Sequence, residues 1–188
     1  MASKAYGDEL FIYAMAHGRE ASEKEPDADD GKVQLIERAV IDNALYMDMP
    51  ADFKQMPLEK AKTEFSDADM PDFIFTDEQE SAVLTFSLRG EELEVEKTED
   101  ALNAVIQGIQ KTGPGFEILE SGLVNAVGAR AAYFEFLSPA DDGKAYNLIF
   151  IFSLNRRLVL GSFNCLYADI DKWREEAAQM LNSIVVRQ

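Results

Sequence analysis

The chain has 188 residues, 47% apolar and 10% aromatic, with a formal charge of −17. That length suits one domain with a real core rather than two. Residues 1–100 carry 10 basic and 26 acidic side chains and residues 101–188 carry 8 and 9, so nothing forms the basic stripe that phosphate backbones or anionic membranes require.

At the N-terminus, Asp8 to Gly18 can form a short helix with Leu10, Phe11, Ala14 and Met15 on one side. Lys4, the apolar run Leu10 to Ala16 and Ala14-Met15-Ala16 imitate a secretory signal, but Asp8 and Glu9 stand where positive charge is expected. No segment approaches the roughly 20 apolar residues of a membrane-spanning helix. The expectation is a soluble, cytoplasmic protein, unless a longer precursor was trimmed. Glu20 to Gly31 is charged, holds Pro26 and offers nothing to bury, the composition of a flexible linker. Residues 1–31 therefore read as an N-terminal helix and acidic linker, and 32–188 as the folded domain.

Val33 to Val40 and Ala44 to Met49 are β-prone runs around Asp42-Asn43, a hairpin ending at Pro50. Asp52 to Pro71, rich in turn and breaker residues, reads as a long connection with one irregular turn of helix. Phe73 to Phe75 reads as a short strand, Thr76 to Glu80 as a turn, and Ala82 to Leu88 as a strand with Ala82, Leu84, Phe86 and Leu88 on its core face. Thr98 is placed to cap a helix that has Glu99 and Asp100 in its first turn and Leu102, Val105, Ile106 and Ile109 at helical spacing. Gly113-Pro114-Gly115 stops it.

Phe116 to Val124, Ala129 to Leu137, Ala145 to Leu154 and Arg157 to Asn164 follow as four strands with short links, which favour antiparallel neighbours. In the third, Tyr146, Leu148, Phe150 and Phe152 share one face and Ile149 and Ile151 the other, the mark of a central strand covered on both sides. A last helix, capped by Asp169, spaces Ile170, Trp173, Ala177, Met180, Leu181 and Ile184 at three and four residues, so it should lie across the sheet.

Chemistry is harder to find. His17 is the only histidine and Cys165 the only cysteine, which argues against a histidine metal site, a triad or an intrachain disulfide. Cys165 lies in an apolar run and reads as a small buried hydrophobe. Asp27 to Gly31 has its glycine one place too early for a calcium loop, and Asp67, Asp69 and Asp72 read as solvated loop acids. Gly113-Pro114-Gly115 follows a helix instead of opening one, so it is a turn and not a phosphate cradle. With 35 acidic residues some pair must approach in space, but spacing does not say which pair is buried. No catalytic, cofactor or metal-ligating residue is assigned and no cofactor is expected. Tyr46, Phe53, Phe65, Phe73 and Tyr133 fall at strand ends, in loops or on a more polar strand face and are the candidate partner-binding residues.

The order of these elements, with the run Leu45 to Phe53 (LYMDMPADF), a mid-chain helix, Gly128 to Phe136 (GARAAYFEF) on one strand, Tyr146 to Ser153 (YNLIFIFS) on the next and a closing Trp173 helix ending in Leu181 to Ile184 (LNSI), resembles the PsbP-like superfamily. That superfamily includes the photosystem II extrinsic subunit, the Ran-binding Mog proteins and bacterial families of unknown function. The resemblance spans about Lys32 to Val186. It implies an α+β protein with a mostly antiparallel sheet flanked by helices in an α/β/α sandwich, used for binding and not for catalysis, and it carries over no functional residues. A non-catalytic module for a protein partner is the leading expectation. A chaperone for apolar segments of secreted effectors, or a small-ligand carrier or enzyme with a pocket between sheet and helices, stands as the alternative. Docking of the N-terminal arm through Leu10, Phe11 and Met15 on a second copy leaves a homodimer open.

Overall fold

A computed structural model of the chain describes residues 33–187 apart from 42–43, 66–69, 113–114 and 141–142. The expectations for the N-terminal helix, the linker, His17 and the Asp27 to Gly31 cluster lie outside the described residues.

Seven antiparallel strands form the main sheet in the order β3-β4-β5-β9-β8-β7-β6: β3 (Lys54–Gln55), β4 (Phe73–Thr76), β5 (Ala82–Glu92), β6 (Glu117–Ala126), β7 (Ala129–Ala140), β8 (Gly143–Leu154) and β9 (Arg157–Leu166). A small sheet holds β1 (Leu35–Ile41), β2 (Leu45–Pro50) and β10 (Val185–Val186) in the order β1-β2-β10. Three helices complete the described fold: α1 (Leu58–Glu64), α2 (Thr98–Thr112) and α3 (Ile170–Asn182).

The apolar pattern of β8 explains its central place. Tyr146, Leu148, Phe150 and Phe152 enter one core with β2 and α3, while Ile149 and Ile151 enter a second with Leu102, Val105 and Ile109 of α2. Backbone groups of a strand buried on both faces need partners on both sides. β7 and β9 supply them along its length, from Ala132↔Ile151 on one flank to Leu154↔Arg157 on the other.

Helix α3 lies over the first core and lowers Trp173 into it at 1% exposure, with Ala177, Met180 and Leu181 in line. The indole packs 5.6 Å from the Phe53 ring and 5.8 Å from Phe163. Beyond the helix, Val186 N donates to Val127 O and Arg187 N to Ala44 O, so the C-terminal strand ties the small sheet to the β6–β7 hairpin.

The structure corrects three local expectations. Asp52 to Pro71 contains an edge strand and a seven-residue helix, because Ala61 and Phe65 bury with Met56, Ile74 and Val83 in a third cluster. Thr98 does not cap α2: a 3-10 turn over Val95–Lys97 runs straight into the helix, and the Thr98 hydroxyl donates to Val95 O at 2.8 Å. Asp169 likewise closes a 3-10 turn, Tyr167–Asp169, and makes no side-chain capping bond.

Candidate functional site

The five aromatic candidates separate when placed in the fold. Phe53 and Phe65 are buried, the first under Trp173 and the second against the α1 cluster. Phe73 is half-buried on β4 opposite Phe86 and packs against the main core. Tyr46 is half-buried on the outward side of the small sheet, since Leu45, Met47 and Met49 turn inward. The Arg187 guanidinium stands 3.9 Å from its ring centroid and pairs with Glu37 at 3.6 Å. Tyr133, on β7, donates its hydroxyl to Glu120 Oε1 at 3.0 Å. Tyr46, Phe73 and Tyr133 thus sit on three elements that are not strand neighbours.

Two polar constellations emerge that periodicity did not mark. The first clusters around Arg174 of α3. Its Nε donates to Glu135 Oε2 at 2.8 Å, and its other arm lies 3.6 Å from Glu120 Oε2. Glu135 is buried and Glu120 exposed, so the two carboxylates flank one cation instead of sharing a proton in a closed pocket. Burial works against the charge of Arg174, but the hydrogen bond and charge of Glu135 outweigh it and hold the guanidinium above its ordinary range. Burial, followed by the bond to Glu120, raises Tyr133. Burial also pushes Tyr146 far up, with the Glu135 charge adding to it. Its buried hydroxyl has no hydrogen bond of normal geometry.

The second constellation is a polar chain across the α2 side of the sheet, between the patch under α2 and the one under α1. Asn147 of β8 donates to Ser138 Oγ at 3.0 Å and to Ala145 O at 3.1 Å, and accepts from Asn164 Nδ2 at 2.6 Å. Ser162 donates to Asn164 Oδ1 at 3.2 Å and meets Thr85 Oγ1 at 3.0 Å. Four strands are crossed by side chains that satisfy one another. All but Asn164 are buried. The one sequence cue was Asn147, a lone amide in the apolar run of β8.

Neither arrangement presents a free nucleophile beside a base. Cys165 is buried and burial drives its thiol far above the ordinary thiol range, so the thiolate needed for attack or metal binding is suppressed. Among the described residues no group of three His, Cys, Asp or Glu side chains could hold a metal ion. Of the acidic loop near residue 70, Asp67 and Asp69 lie outside the described residues, while Asp72 Oδ2 accepts the Leu88 N–H at 2.7 Å. Among the described residues no helix is long and apolar enough to cross a membrane.

An antiparallel sheet with α2 on one face and α3 on the other, opened by a β-hairpin that folds back over the Trp173 helix, is the PsbP-like fold, and the chain adopts it. The solution structure of cyanobacterial PsbP (CyanoP) from Synechocystis sp. PCC 6803 matches it with a TM-score of 0.56 and 10% identity, covering 86% of this chain and 98% of that one. LpqN, described as involved in cell envelope biogenesis of Mycobacterium tuberculosis, matches with a TM-score of 0.50 and 14% identity, covering 85% of this chain and 94% of the other. At such identities the likeness is one of fold. No family model and no curated protein matches the chain.

Proposed function

We propose that the chain is a non-catalytic binding module for a protein partner, held through the outward side of the small sheet and the half-buried aromatics Tyr46 and Tyr133. The observation that carries this reading is the Tyr46–Arg187 stack: an aromatic ring and a guanidinium, held together on an accessible strand, are the residue types that dominate interface energetics. Glu37 pairs with the same guanidinium at 3.6 Å, so part of the ordering cost is met before any partner arrives. The buried thiol and the arginine between Glu120 and Glu135 also fit holding better than reacting.

Purification of the tagged chain from its source cells under native conditions tests the proposal. A partner in fixed stoichiometry is the expected result. Repeated recovery of the chain alone would count against it.

A further inference from the structure

The outward side of the small sheet carries an electrostatic imbalance. Glu37 of β1 stands directly across from Asp48 of β2, and the Asp48 N–H points away from β1, donating to Ser183 Oγ at 2.8 Å. The two residues therefore form a non-hydrogen-bonded antiparallel pair, the kind whose α-carbons approach to about 4.5 Å and whose side chains crowd most. Like charges so placed repel each other. Arg187 answers only one of them, since its guanidinium pairs with Glu37 at 3.6 Å while lying on the Tyr46 ring. Among the described residues Asp48 has no ion-pair partner. Tyr46, two residues from Asp48 and on the same face, opens an apolar strip, because Val185 pairs with Tyr46 and Val127, 66% exposed, bridges Val185 in turn.

We infer that this face takes a basic segment of a protein partner, one that sets a lysine or arginine beside Asp48 and an apolar side chain on the strip of Tyr46, Val185 and Val127. The inference rests on the binding role proposed above and names the chemistry of what is bound. Charge selects the occupant. Two carboxylates and one guanidinium leave one negative charge uncompensated on the face, so a single incoming cation neutralises it, relieves the repulsion between Glu37 and Asp48 and leaves the Arg187–Tyr46 stack in place. An acidic segment would only add to that repulsion. The chain's formal charge of −17 acts in the same direction at longer range, drawing in a basic partner and turning away a second copy of the chain. The face is also held ready, since the bond from Asp48 N to Ser183 Oγ ties β2 to the end of α3. Stability given up in the free protein and recovered on binding is a recurrent trade at functional surfaces.

Backbone-amide NMR of the isotope-labelled full chain, titrated with a short acetylated peptide of alternating leucine and arginine, tests the inference. The largest shifts should fall on Glu37, Tyr46, Asp48 and Arg187, and a peptide of alternating leucine and glutamate should cause none. Asp48→Asn should weaken the arginine peptide about two- to fivefold, the scale of an exposed ion pair, and yet raise the urea midpoint, because the facing carboxylate is gone. In native purification from the source cells, Asp48→Lys should deplete the partner recovered on the wild type at least about tenfold. Shifts scattered over the acidic residues of the chain at large, an affinity indifferent to Asp48→Asn, or a lowered urea midpoint would overturn the inference. A partner held equally by Asp48→Lys would overturn it too, while leaving the binding role itself standing. A wild type that brings down no partner overturns that role, and the inference with it.

Discussion

Phe150 of β8 lies over Gly161, its direct cross-strand partner on β9, so closely that a β-carbon at position 161 would overlap ring atoms Cε2 and Cζ. The glycine is what lets the ring lie down on the sheet between Phe86 and Phe152. Gly161→Ala should therefore destabilise the fold by about 1–3 kcal/mol, the usual cost of overpacking a full core. Adding Phe150→Leu should return part of that loss, a coupling that urea unfolding of both single variants and the pair will read.

Arg174 holds α3 on β7 through the buried carboxylate of Glu135, to which its Nε donates at 2.8 Å. Arg174→Met strands Glu135. Full burial of an unpaired charge costs about 3–5 kcal/mol, and the half-exposed guanidinium reduces the expectation to about 1–3 kcal/mol. The double variant with Glu135→Leu should be more stable than Arg174→Met alone, as measured by chemical denaturation.

Asn147 is the hub of the polar chain, and Asn147→Ala leaves Ser138 and Asn164 facing a gap. A loss of about 2–3 kcal/mol is expected, more than the removal of a single neutral hydrogen bond, because buried partners are left unsatisfied. Thr85→Val, at the end of the chain, should cost less. Thermal and urea unfolding of the two variants supply the comparison.

Burial raises Tyr146 above its unfolded value near 10. The folded state then holds the phenolic proton more tightly than the unfolded chain, so this contribution is fully present below about pH 10 and drains away as the pH climbs beyond it. Between about pH 10 and pH 11 the loss should approach 1.4 kcal/mol per unit for this group. Cys165, also raised, acts with the same sign from a lower starting pH. Tyr146→Phe should change stability at neutral pH by no more than about 1 kcal/mol, since the hydroxyl it removes makes no normal hydrogen bond, and should flatten the alkaline slope. Urea melts at a series of pH values will show whether it does.

The central strands and both long helices were legible because their apolar residues recur at a fixed period. β8 advertised two buried faces, and Trp173, Ala177, Met180 and Leu181 advertised one side of a helix. β3 and β10, with two residues each, carry no period to read. They exist because Phe75 and Tyr46 offer free strand edges at the right places. Capping at Thr98 and Asp169 failed as a guide because each helix grows out of a 3-10 turn, which supplies the first carbonyl partners from the backbone. The site was less readable still. Phe53 and Phe65 sit in segments that look like loops yet plug clusters beneath α3 and α1, and Glu135 meets Arg174 only through a strand-to-helix contact 39 residues apart.

The most direct check on the binding role compares the wild-type chain with a Tyr46→Ala, Tyr133→Ala variant, each tagged and drawn from the source cells in parallel, with bound protein quantified by mass spectrometry. A partner that is stoichiometric on the wild type and depleted at least about tenfold on an equally stable variant is the predicted result, the scale expected when aromatic anchors are truncated. Equal recovery of that partner on both chains, or its absence from both, would contradict the assignment.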